Sequence, residues 1–255
     1  MKAKPSLVFW DIETSLIKAS VFSLKQEYIQ PENITQDWYI ICASWSGVNG
    51  KIHSVSVLDD KKRFKKNPYD DYYVVETLRE VIINSDLLIH HNGDKFDLKK
   101  FNTRLSYHNL EPLPPVRTLD TLKEVKKFGS FTSNKLDYLG DFYNIGRKIH
   151  TDGKLWLDIQ NKGIDAVKEI KKMVKYNKQD VNLLRGVFMR FKKYIRGFPQ
   201  LSDERVCPQC SSYSLQFRGY QRNKTSEFHR YQCNDCGSWS RERLSDRIFA
   251  KVVSI

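Results

Sequence analysis

Asp11 and Glu13 stand two residues apart in FWDIET, and in an extended strand a period of two sends both side chains to one face. Two adjacent carboxylates repel unless a cation lies between them, and beside Phe9, Trp10 and Ile12 an unpaired acid is costly to bury. The pair therefore points to a hard divalent cation, Mg²⁺ or Mn²⁺, held by oxygen. D-x-E alone is a weak signal. HHNGDKFDLKKF, residues 90–101, adds to it by ending a strand at Asn92 and opening a helix at Asp97, which can project from the first helical turn. In YNKQD, Tyr176 and Asp180 are one helical turn apart and share a face. Taken singly, Asp97 reads as a first-turn acid and Asp180 as a solvated helix residue; together the four acids and the phenol make a candidate metal site.

A second constellation lies near the C-terminus. CPQC at 207–210 and CNDC at 233–236 give two C-x2-C pairs with a 22-residue spacer. Cys207, Cys210, Cys233 and Cys236 suit one tetrahedral, structural Zn²⁺, with a disulfide or redox pair as the alternative. So short a segment buries little core, and the metal would hold it folded. Between the pairs, Phe217, Tyr220, Phe228 and Tyr231 interleave with Arg218, Arg222, Lys224 and Arg230. Arginine with exposed aromatics can grip phosphate and stack bases, so Arg218, Arg222 and Arg230 are candidate nucleic-acid contacts. The alternatives are a small aromatic core with solvated arginines, or a protein-docking surface. The segment resembles zinc ribbons in which a β-hairpin spans two metal-binding turns.

These residues need elements to position them. Residues 6–13, 38–47, 51–58 and 87–93 read as strands, the second and third joined as a hairpin through a Gly-containing turn. Residues 72–85 have a helical period, and a helix over 97–107 stops before EPLPP. The most legible helix spans about 165–195, apolar on one stripe and lysine-rich elsewhere; Gly186 leaves one long helix and two shorter ones both open. RGFPQLSDE, residues 196–204, has no period. It divides the chain into a domain over 1–200 and a cysteine-bearing one over 201–255. Alternating strands and helices predict an α/β fold, followed by a small C-terminal zinc ribbon.

Composition fits this division. The 255 residues, 40% hydrophobic and 29% charged, exclude collagen-like or wholly disordered classes, and 43 Lys and Arg against 30 Asp and Glu give a net charge of +13, which favours a polyanionic partner. The excess is +10 over residues 1–200 and +3 beyond them. No apolar run is long enough to cross a membrane, and MKAKPSLVFWDIET lacks the pattern of a signal peptide, so no membrane partner and a cytoplasmic location are expected. Cys42, in WYIICASW, reads as a small buried hydrophobe.

FWDIET, HNGDKFD and YNKQD, in this order, resemble the three motifs of the DEDD superfamily of 3′-5′ exonucleases, and the tyrosine marks the tyrosine branch. DIETSLIKASVFSL, ITQDWYIICASW, FTSNKLDYLG and GRKIHTDGKLW extend the resemblance to phage-encoded ribonuclease H-like exonucleases along nearly the whole chain. The resemblance implies a ribonuclease H-like α/β fold, a mixed sheet flanked by helices, and a metal-dependent 3′-5′ exonuclease that releases nucleoside monophosphates by a two-metal mechanism. Asp11, Glu13, Asp97 and Asp180 would hold the two Mg²⁺ or Mn²⁺ ions, and Tyr176 would orient the attacking water. Asn92 and Phe96 would shape the pocket for the terminal nucleotide; Asp120, His90 and His91 are expected to be structural. The expected partner is nucleic acid, single strands or 3′ ends with DNA slightly favoured over RNA, and replication proteins beside it; the location would be a host cytoplasm. The alternatives are a catalytically silent nucleic-acid-binding or adaptor protein acting through its zinc ribbon, and a structure-specific endonuclease.

Overall fold

The computed structural model describes residues 5–25, 27–201, 204–223 and 226–244. Lys224, one of the interleaved basic residues, lies outside them. The chain divides into two compact units, Met1–Val187 and Phe188–Ile255.

The first unit is built on β1 (Leu7–Thr14). After a short pair, β2 (Lys18–Ala19) and β3 (Ile34–Gln36), come β4 (Ile40–Ser46), β5 (His53–Ser56), β6 (Leu87–His90) and β7 (Thr118–Asp120). They form one mixed sheet in the order β5-β4-β1-β6-β7. β1 pairs antiparallel with β4 and parallel with β6, and β6 parallel with β7. The expected hairpin of the second and third strands is the antiparallel β4–β5 pair. β6 is buried along its whole length, as a parallel strand covered on both faces should be.

The helices are α1 (Lys61–Lys66), α2 (Tyr72–Ile83), α3 (Asp97–Tyr107), α4 (Thr121–Phe128), α5 (Leu136–Phe142), α6 (Lys154–Lys162) and α7 (Val167–Phe191). α2 turns Val74, Val75, Leu78 and Ile82 inward onto β4 and β5. Val8, Trp10 and Ile12 join that core with Phe101 and Leu105 of α3, so the alternate residues Phe9, Asp11 and Glu13 face the other side of the sheet. Cys42 is fully buried.

α7 is one unbroken helix, which decides between the two readings of Gly186. A Cβ there would lie 2.6 Å from Ile145 Cγ2, so the glycine serves the close approach of the 145 loop rather than a bend. Short α4, α5 and α6 fill a region the sequence reading left without elements.

Beneath α2, Asp71 is fully buried and accepts hydrogen bonds from the Ile40 N–H at 2.8 Å, Arg104 Nε at 2.7 Å and Arg104 Nη2 at 2.6 Å. His108 Nε2 lies 2.5 Å away. Burial pushes its carboxyl up, but His108 and Arg104 outweigh this and hold it below the usual range. Asp71→Asn leaves the Arg104 charge buried without a counterion, and the expected cost is about 3 kcal/mol, read as a lowered urea midpoint. An unchanged midpoint would show that the network does not hold α3 to β4.

The second unit carries a three-stranded antiparallel sheet of β8 (Leu215–Arg222), β9 (Glu227–Cys233) and β10 (Trp239–Arg243), in the order β10-β9-β8. Its two cysteine turns repeat one geometry. Ser211 N–H donates to the Cys207 carbonyl at 2.8 Å, and Gly237 N–H to the Cys233 carbonyl at 2.9 Å. Both donors are left-handed, at φ 59° and 72°.

Candidate metal centres

Two segments of the first unit, α3 and α7, bring further acids to the pair on β1. Asp11 sits opposite Ser44 and Glu13 opposite Cys42, the period-two placement expected of them. Asp180 comes from α7, and carboxylate oxygens of Asp11, Glu13 and Asp180 lie within 4.8 Å of one another. Asp97 opens α3 and is tied to β1, its Oδ1 accepting from the Ile12 N–H at 3.2 Å. It is not in that closest triplet, but its charge acts on both Asp11 and Glu13. The four acids of the sequence reading are therefore neighbours.

Electrostatics bears out the strain of putting them together. Burial, then repulsion from Asp97, Glu13 and Asp180, raises the Asp11 carboxyl well above the usual range. Glu13 is pushed up to about 8 by burial and Asp180, and Asp97 to about 6 by burial, although His90 and the Ile12 N–H pull it back. Asp180 is also raised by burial, with Lys148 and the nearby Tyr176 hydroxyl offsetting part. Tyr176 is shifted up to about 12 by burial and by the Asp180 charge. Its ring packs edge-on against Trp156 at 5.8 Å between centroids.

Two site residues escaped the sequence reading. Lys148 Nζ donates to Asp180 Oδ2 at 2.5 Å and lies 5.6 Å from the centre of the Tyr176 ring. Asn177 Nδ2 donates to Asp11 Oδ2 at 2.7 Å, across 166 residues of sequence. Asn177 is adjacent to Tyr176 and three residues from Asp180, so the helical face could have signalled it. Lys148 sits in a loop, where no period applies.

The donor set fits a hard cation. All its ligand atoms are carboxylate oxygens, and Asp180 Oδ1 is buried with no hydrogen-bond partner among the described residues. In the second unit all four cysteines are free thiols with Sγ atoms within 4.8 Å of one another. Cys207–Cys236 and Cys210–Cys233 are each 3.6 Å apart, near the edge of about 3.8 Å in a tetrahedron of 2.3 Å Zn–S bonds. Burial raises the Cys236 thiol, but the Ser238 hydroxyl and N–H overcome this and bring it to about 7.

A third group, His90, Asp94 and Asp120, is already engaged. Trp10 Nε1 donates to His90 Nδ1 at 3.2 Å, and His90 Nε2 contacts Asp94 Oδ1 at 2.9 Å. Asp94 also takes Lys123 at 2.6 Å, while Asp120 Oδ1 accepts from the N–H groups of Asn92 and Leu122. His91 is held by Thr121 and the Asn134 carbonyl, each at 2.9 Å, and burial drops it to about 4. Asn92 is left-handed at φ 69°, and Phe96 stands partly exposed just before α3. In the second unit Arg222 is paired with Glu227 at 2.6 Å, whereas Arg230 donates to the Arg218 carbonyl at 3.0 Å.

The RNase_H superfamily profile matches residues 47–191, more than half of the chain. The chain belongs to the RNase_H superfamily. The matched segment of this superfamily member contains Asp97, Tyr176 and Asp180, while β1 precedes it. The fold is also similar to a solved structure, the family B DNA polymerase of the hyperthermophilic archaeon Pyrobaculum calidifontis, with a TM-score of 0.55 and 12% identity over 75% of this chain. The chain spans a quarter of that polymerase's length. Comparison with curated proteins gives no match. Among the described residues no helix is long and apolar enough to cross a membrane.

The raised carboxyls give a pH dependence with a definite sign. Between the usual 4.5 of Glu13 and its folded value of about 8, the unfolded chain loses the proton before the folded one. Stability is therefore full below about pH 4.5 and is lost as pH rises through 8 in metal-free protein. The metal-free melting temperature is expected to fall by a few degrees from pH 5 to 8. Glu13→Gln should flatten that slope, and added Mg²⁺ should stabilise more at pH 8 than at pH 5. A flat wild-type profile would mean that these carboxylates do not strain one another.

Proposed function

We propose that the first unit is a 3′-5′ exonuclease of the DEDD type, tyrosine branch, which hydrolyses phosphodiester bonds and releases nucleoside monophosphates. The observation that carries the reading is the convergence of Asp11, Glu13 and Asp180, with Asp97 beside them and Tyr176 one turn from Asp180. Superfamily membership and the order of the three motifs support it. The likeness to a DNA polymerase is one of fold; replication proteins as partners belong to this proposal too.

Asp11, Glu13, Asp97 and Asp180 would hold two Mg²⁺ or Mn²⁺ ions. When bound, these ions supply charge neutralisation at the scissile phosphate and acidify the attacking water. The protein's own groups do the rest. Tyr176, pushed up to about 12, keeps its phenolic proton at neutral pH, so it holds a water by hydrogen bonding and does not act as a base. Lys148 balances the Asp180 charge, Asn177 fixes one oxygen of Asp11 and the Ile12 N–H one of Asp97, leaving the remaining carboxylate oxygens to ligate. Phe96 offers a partly exposed ring to the terminal base, and Asn92 the turn that leads into α3. Cys207, Cys210, Cys233 and Cys236 would hold one structural Zn²⁺ in the second unit. Descent from a phage-type exonuclease and placement in a host cytoplasm belong to the same reading.

The test follows 5′-labelled single strands of DNA and RNA with Mg²⁺, Mn²⁺ or chelator. The expected result is a metal-dependent ladder shortening from the 3′ end, lowered about 10²–10³-fold or more by Asp11→Ala or Asp180→Ala. Internal cuts would replace the exonuclease by an endonuclease, and cleavage by either variant at the wild-type rate would sink the site. Tyr176→Phe should lower kcat by about 10² with little change in KM; equal kcat would reduce Tyr176 to a packing residue.

A further inference from the structure

The register of the second unit sorts its charged residues onto two faces. On β9, Glu227, His229, Tyr231 and Cys233 share one face, joined across the strands by Arg222 and Glu242. That face is internally satisfied. Phe217, Tyr220, His229 and Tyr231 form a ring cluster with centroids 5.2–6.1 Å apart, Arg222 is paired with Glu227, and Arg205 bonds to both Tyr231 and Glu242.

The opposite face is different. It carries Phe228 and Arg230 from β9 and Trp239, Arg241 and Arg243 from β10, and the three strands bring no carboxylate to it. Arg230 and Arg241 stand directly opposite one another. Like charges so placed are destabilising, and nothing among the described residues neutralises them. Their guanidinium groups lie along aromatic rings, Arg241 4.4 Å from the centre of Phe228 and Arg230 6.0 Å from that of Trp239. Trp239 is 56% exposed, and the three arginines are exposed. Along β10, Trp239, Arg241 and Arg243 recur at a spacing of about 7 Å.

We propose that this face, with Arg230, Arg241, Arg243 and Trp239 as its anchors, docks single-stranded nucleic acid, the arginines taking backbone phosphates and Trp239 stacking a base. Charge complementarity selects a polyanion, and an exposed indole flanked by guanidinium groups selects one with unpaired bases. Arg222, on the other face and held by Glu227, takes no part. The anchor residues belong to the second unit and the acidic cluster to the first, and docking requires no hydrolysis.

The experiment titrates zinc-loaded full-length protein, without added Mg²⁺ or Mn²⁺, into fluorescein-labelled twenty-nucleotide single strands of DNA and of RNA, read by anisotropy over a range of salt. Arg230→Gln with Arg241→Gln should weaken binding at least tenfold and lower the salt slope by about 1.4, since each phosphate contact on a single strand contributes about 0.7. Lys171→Gln with Lys172→Gln, exposed on α7, removes the same charge and should change affinity less than twofold. Trp239→Ala should cost about tenfold and Trp239→Phe should restore most of it. Arg241→Gln alone should raise the melting temperature while weakening binding, because it relieves the opposed pair; lost zinc and a lower melting temperature would mark a structural residue and overturn the proposal. Equal losses for the arginine and lysine pairs would reduce binding to net charge and overturn it too. Unchanged binding in all variants would give the face to a protein partner. The DNA and RNA arms separate the two polyanions.

Discussion

Carboxylates that repel one another are held together, Asp97 and Asp180 buried and Asp11 and Glu13 partly so, and the first unit is arranged around that constraint. Burial together with mutual repulsion raises the carboxyls of Asp11 and Glu13, and burial raises that of Asp97. A protein tolerates such a cluster only where the rest of the fold is stable enough to impose it. Here the imposing elements are β1 and α7. β1 is clamped between β4 and β6, and α7 is an unbroken helix of 25 residues. Lys148 and Asn177 each relieve one carboxylate oxygen, so the cluster is partly compensated without being neutralised.

The same physics recurs in the second unit with softer atoms. Four thiols are gathered by two turns of equal geometry, each closed by a left-handed residue, and their spacing suits one tetrahedral ion. Arg230 and Arg241 add a repulsion of the opposite sign on the sheet itself. In both units like charges are held close by backbone structure, and that is the ground on which a ligand of opposite charge is proposed for each.

The acids could be read from the sequence because their relationships are local. Asp11 and Glu13 need only a strand to share a face, and Tyr176 and Asp180 need only a helix. The cysteines were legible from their spacing. Asp120, His90 and His91, which invited a ligand reading, are engaged in the turns after β6 and β7. The short helices between residues 121 and 162 were not legible, since segments of seven to nine residues carry too few turns for a period to stand out.

By itself the sequence determined the residue types at the two centres, the strand that carries Asp11 and Glu13, the helix that carries Tyr176 and Asp180, and the alternation that makes an α/β chain. Those follow from side-chain chemistry and from periods of two and 3.6 residues, which operate within a few positions. Only the tertiary structure decided that Lys148 meets Asp180 and Asn177 meets Asp11, that Gly186 accommodates Ile145 without breaking α7, and that Arg222 and Arg230 lie on opposite faces of one sheet. Each of these depends on strand register or on the placement of a loop or helix against a distant segment, and no local period encodes that.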